Sequence, residues 1–189
     1  MTNVRLSGGR TELNFVDSFA YNIAAYRLAG LLGIDNMIPV TVERRWRAER
    51  GAVSWWVDAK WTEGERKELG LDPPDSRIWN QQMYRLLVFS ALVQDSDRNL
   101  GNTLITEAWK VWMIDFTRAF RLASELHNLD GLRRCDRELL AKLRAQQLEG
   151  VAGDYLNGLE IDAVMTRRDG LVEHFEQLIA ERGEGRVLY

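Results

Sequence analysis

With 189 residues, 46% of them apolar and 28% charged, the chain is long enough for one domain, or one sizeable lobe, with its own hydrophobic core. A net charge of −3 leaves no bulk field to recruit nucleic acid or an anionic membrane surface, and no apolar run has the length of a signal peptide or a membrane span. The single cysteine, Cys135, excludes an internal disulfide framework and fits a reducing, cytoplasmic setting.

The first fifteen or so residues, with Ser7-Gly8-Gly9-Arg10, read as a loop or an incomplete edge segment, because no convincing strand leads into the glycines. Asp17 or Ser18 then caps a helix running to about Leu32. Phe19, Ile23, Ala24, Leu28, Leu31 and Leu32 recur at steps of three and four, and Gly33 supplies the stop. Ile38 to Glu43 and Ala52 to Val57, joined by a charged turn that includes Arg44-Arg45-Trp46-Arg47, read as a β-hairpin. A short helix is expected from Trp61 to Leu69. After the breaker Pro73-Pro74 comes a strongly periodic helix over about 77–93, with Trp79, Met83, Leu86, Leu87, Ser90 and Val93 on one stripe. Two short strands flank residues 103–115, and further helices are expected over about 134–149 and 162–182. The seven tryptophans, mostly between Trp46 and Trp112, read as core fillers and partly exposed indoles, since a base-stacking platform would come with a basic groove.

The chemistry concentrates between Val93 and Phe120. Asp95, Asp97, Asn99 and Asn102 crowd a loop between a buried helix and a strand. Thr103–Thr106 and Val111–Ile114 can pair across the turn Glu107-Ala108-Trp109-Lys110. In that register Ile105 faces Trp112, Glu107 faces Lys110, and Asn102 faces Asp115, so an amide oxygen and a carboxylate emerge on one face at the open end. Such a pair suits two oxygen ligands of one Mg²⁺ or Mn²⁺. Asp97 stands five residues before Asn102, the D-x-x-x-x-N step of a kinase catalytic loop, where the acid accepts the proton of an attacking hydroxyl. An EF-hand reading of Asp95 to Asn99 is poor. Leu100 stands where the calcium loop requires glycine, and Thr106 where it requires the closing glutamate. His127 and His174 lack partners at zinc spacing, and Cys135 has no neighbouring histidine to make it a nucleophile.

Asp97-Arg98-Asn99-Leu100-Gly101-Asn102, followed by Ile114-Asp115-Phe116-Thr117-Arg118-Ala119-Phe120, resembles the D-R-H/N-x-x-N and hydrophobic-D-x-x-R-x-F signatures of atypical kinases. The nearest groups are the secretory-pathway, HipA-type and phosphoinositide kinases. Tyr21 to Leu28 and Ile38 to Glu43 also look like the helix and strand that follow the ATP lysine in the secretory group, so the resemblance spans about residues 11–122.

It implies an α+β, mostly helical, kinase-like fold: a truncated small lobe over 1–60 and a large lobe with a β-hairpin metal site over 61–189. It also implies ATP with Mg²⁺ or Mn²⁺ as cofactors, Asp97 as catalytic base, and Asn102 and Asp115 as metal ligands. Trp55, Trp56 and Val57 would lie beside adenine, and Arg98 would support the loop near the cofactor. The acceptor, whether protein, sugar, lipid or small metabolite, stays open. Two departures stand out: Asn22 occupies the helix position where many relatives carry glutamate, and no glycine loop with an ATP lysine precedes the helix. A fragment, a degenerate pseudokinase and a half-site completed by another chain all fit that pattern.

Overall fold

The computed structural model describes residues 2–5, 11–95, 97–126, 129–145, 150 and 153–189. Strands β1 (Thr2–Arg5) and β2 (Thr11–Phe15) form an antiparallel pair. The start, expected as a loop or an incomplete edge segment, thus carries a strand on either side of the Ser7-Gly8-Gly9-Arg10 segment, which itself lies outside the described residues. Helix α1 (Phe19–Leu32) begins where Ser18 Oγ accepts the amide of Ala20, and ends at Gly33, whose left-handed φ of 73° glycine adopts without strain. Its small and branched residues are buried on most of its circumference, Ala24, Ala25 and Ala29 completely, so it runs through the core rather than over it.

Strands β3 (Thr41–Trp46) and β4 (Glu49–Ser54) pair from Thr41 opposite Ser54 to Trp46 opposite Glu49. The hairpin is thus shifted toward its turn relative to the expectation, with Arg47 at φ 56° making the reversal. Strand β5 (Trp61–Thr62) leads into helix α2 (Glu63–Glu68), started by a reciprocal capping box between Thr62 and Glu65. Helix α3 (Ser76–Val93), capped by Asp75, follows. Strands β6 (Thr103–Ile105) and β7 (Val111–Met113) complete a three-stranded sheet in the order β5-β6-β7.

Helices α4 (Arg137–Ala145), α5 (Gly158–Arg182) and α6 (Glu184–Val187) close the chain. Asn157 and Glu160 form a second capping box, which starts α5 earlier than the periodicity of its apolar residues alone implies. One core joins α1, α3, α4, α5 and the β6–β7 hairpin. Among the described residues, no helix is long and apolar enough to cross a membrane.

Two buried ionic groups belong to this framework. Arg167 is fully buried and donates to the carbonyls of Leu92 (2.8 Å), Arg121 (2.9 Å) and Ala123 (2.6 Å), satisfying the C-terminal end of α3. Burial lowers its pKa to about 10. Glu160 accepts from the Tyr21 hydroxyl at 2.5 Å, tying α5 to α1. Cys135 is buried, its thiol pushed up to about 12 by desolvation and then by Asp136, as suits a packing residue.

Candidate functional site

Helix α3 ends at Val93, where Gln94 turns left-handed (φ 45°) and throws the chain into the loop that carries Asp97. Asp95 Oδ1 accepts the Asp97 amide at 3.2 Å. The Asn99 side chain caps a 3₁₀ turn at Leu100–Asn102 by accepting from Gly101 (2.8 Å) and Asn102 (3.1 Å). Asn102 then donates its own side-chain amide back to the Asp97 carbonyl at 3.0 Å. That bond uses the donor end of the Asn102 amide and leaves its oxygen as the end suited to a cation. The five-residue step from Asp97 to Asn102 therefore closes as one hydrogen-bonded loop.

The β6–β7 register differs from expectation by one residue. Thr103 faces Met113, Leu104 faces Trp112, and Ile105 faces Val111. The reason lies in the turn: Thr106 N–H donates to Lys110 O, and Trp109 takes φ 59°, which makes a three-residue loop with a left-handed third residue. Asn102 is thereby opposite Ile114, whose amide donates to the Asn102 carbonyl at 3.1 Å. Glu107 pairs with Lys60 instead of Lys110, and Lys110 lies over the Trp112 ring. A slip of one residue would ordinarily turn Asp115 to the other face. Asp115 lies just beyond the strand with φ 56°, lines the neighbouring cavity, and its Oδ1 accepts from the Thr117 amide and hydroxyl.

Asp115 lines a cavity of about 460 Å³ between the base of β3–β4 and the β6–β7 sheet. Trp55, Trp56 and Val57 line it, on the extended stretch that leads from β4 to β5, as do Leu104 and Met113 from the hairpin. The size is that of an ordinary small-molecule site. Asn22, also on the wall, accepts the Phe116 amide at 2.8 Å and so fixes the backbone just after Asp115. Sequence reading noted Asn22 only as a departure from glutamate. Its partner is 94 residues away, and no local pattern announces it.

Arg98, expected near the cofactor, is placed in the interior. Its side chain is 10% exposed, ion-paired to the wholly buried carboxylate of Asp95, and it donates to the carbonyls of Asn102 (2.6 Å) and Ile114 (2.8 Å) while its guanidinium lies 4.5 Å from the Phe116 ring centroid. Burial pushes the Asp95 carboxyl up and the Arg98 guanidinium down, and their mutual attraction opposes both shifts. Arg98 does not line the cavity. It clamps the loop to the mouth of the hairpin.

On the solvent side, Arg118 donates to Asp97 Oδ2 (3.2 Å) and Asp17 Oδ2 (3.1 Å). Among the described residues no three His, Cys, Asp or Glu side chains form a metal-holding cluster. A divalent cation here would rest on Asn102 and Asp115 oxygens plus water and phosphate oxygens. That sparse donor set matches how Mg²⁺ is usually held beside nucleotides, with one or two protein ligands and retained waters.

No family model and no curated protein matches this sequence. The structure is similar to a solved structure of hydra Fam20 with sugar, at a TM-score of 0.65 and 13% sequence identity, covering 100% of this chain and 80% of that one. The α+β, mostly helical fold of this chain is therefore kinase-like, as in that Fam20 structure.

Proposed function

We propose that this chain is an atypical phosphotransferase-like domain that binds ATP and Mg²⁺ or Mn²⁺, with the base in the cavity lined by Trp55, Trp56 and Val57. The observation that carries this reading is a cavity with Asp115 in its lining, joined through the Ile114–Asn102 backbone bond to a loop in which the Asn102 amide is hydrogen-bonded to the Asp97 carbonyl. Asn102 and Asp115 would hold the cation, which when bound neutralises phosphate charge. Asp97 takes the proton of an acceptor hydroxyl as its oxygen bonds to the γ-phosphorus and the bond from phosphorus to the departing ADP breaks. Arg98 and Asn22 position the loop and the acid. The division into a small-lobe remnant over 1–60 and a large lobe over 61–189 belongs to the same reading, as does a reducing, cytoplasmic setting. Because hydra Fam20 was solved with sugar, a sugar hydroxyl is the first acceptor class to assay.

A second reading, a pseudokinase or interaction module, has one observation in its favour: no lysine lines the cavity among the described residues. Thermal unfolding with ATP, with and without Mn²⁺, separates the two. A metal-dependent rise, abolished by Asp115→Ala, supports the nucleotide site; ligand at ten times Kd stabilises by about 1.4 kcal/mol. Asp97→Ala should then lower phosphate transfer about 10²–10⁴-fold while keeping that rise. A wild-type protein indifferent to ATP and Mn²⁺ would end the first reading.

A further inference from the structure

Arg118 and Arg98 both pair with acids of the same loop, but in opposite surroundings. The Arg98 pair is interior. The Arg118 side chain is 45% exposed, and its partners Asp17 and Asp97 are 49% and 37% exposed. The charge of Arg118 also acts on Asp115, so a single solvent-facing guanidinium serves the expected base, a metal-ligand candidate and Asp17 just ahead of α1. Exposed pairs of this kind add little to stability, because water screens them and two side chains must be ordered. Their location beside the candidate cation donors is the informative feature.

We propose that Arg118 is an internal counter-ion of the nucleotide site, lying against Asp97 and Asp17 in the free protein and turning to the phosphate oxygens when nucleotide binds. The inference rests on the nucleotide reading above. A guanidinium presents a planar fork that fits phosphate oxygens in bidentate fashion, a better match than two separate carboxylates each held by one bond. The move would leave the Asp97 carboxylate open to an acceptor hydroxyl, and would bring positive charge to a cavity whose described lining contains no lysine. It also predicts competition: the guanidinium bonded to Asp97 and Asp17 acts through its charge on Asp115, so it and a divalent cation held by Asp115 repel, and each weakens the other in the absence of phosphate.

Calorimetric titration of wild type, Arg118→Ala and Arg118→Lys tests this, first with Mn²⁺ alone and then with ADP or ATP in saturating Mn²⁺. Arg118→Ala should bind Mn²⁺ alone about 3–10-fold more tightly, since the competing charge is gone. The same variant should bind ATP about 10–100-fold more weakly, the worth of a charge-assisted phosphate contact. Arg118→Lys should fall between on both measures. Parallel weakening of Mn²⁺ and ATP, or no change in either, overturns the counter-ion role while leaving the nucleotide reading intact. Absence of Mn²⁺-dependent ATP binding by wild type sinks both. Should Arg118→Ala melt at the assay temperature, the Arg118→Lys titration decides alone: tighter Mn²⁺ with weaker ATP supports the role, any other pattern rejects it.

Discussion

The hairpins β6–β7 and β3–β4 are of opposite character. In β6–β7, Ile105, Val111 and Met113 are fully buried and Thr103 nearly so. In β3–β4, the face carrying Val42, Arg44 and Trp46 opposite Val53, Gly51 and Glu49 looks outward, with Val53 55% and Trp46 77% exposed. β6–β7 is almost wholly apolar or β-branched and carries β5 on its edge, whereas β3–β4 is a two-stranded ribbon rich in charged residues. One is wedged between α3 and the Asp97 loop and locked at its mouth by Arg98; the other meets the cavity only at its base, through Thr41, Ser54 and Trp55. Placement of the candidate acids is therefore a property of the buried hairpin, and the exposed one contributes a wall.

Substitutions can break that contrast. The largest effect is expected from Arg98→Ala, which leaves Asp95 buried without its partner and frees two carbonyls, costing about 3–5 kcal/mol in urea unfolding. The Asp95→Ala, Arg98→Ala double variant should lose less than the sum of the single changes, because the uncompensated charge is gone. Arg167→Ala should follow at about 3 kcal/mol, since the carbonyls of Leu92, Arg121 and Ala123 lose their shared donor. Asn22→Ala removes the acceptor of the Phe116 amide and should cost about 1 kcal/mol, with a several-fold loss of Mn²⁺-dependent ATP binding as the Asp115 backbone loosens. At the bottom of the scale, Trp46→Ser on the outward face should stay within about 0.5 kcal/mol of wild type. A Trp46→Ser loss as large as that of Arg98→Ala would erase the distinction between the two ribbons.

What could be read from the chain alone follows the range of the interactions involved. Helices α1 and α3 were legible because caps and apolar steps lie within a few residues of one another, and the D-x-x-x-x-N loop because its hydrogen bonds span five residues. The α5 start was legible in principle from Asn157 and Glu160. The β6–β7 register is not legible because one left-handed residue, Trp109, changes the loop from even to odd, and a half-buried tryptophan is no signal for positive φ. Arg118 with Asp17, Asn22 with Phe116, and Arg167 with the end of α3 join residues 101, 94 and 75 apart. Nothing in local composition marks such partners. A charged residue destined for the interior looks in sequence like any other charged residue.

Helix α1 is fastened along its length: Ser18 to Thr117, Asn22 to Phe116, Tyr21 to Glu160, and Arg27 to Asp154. The wall nearest Asp115 is thus rigidly joined to the helices behind it and has little freedom to swing. A ligand arriving at this crevice would meet a surface already in shape, so its capture should follow a single fast phase whose rate rises linearly with concentration, without the plateau that a slow closing step imposes.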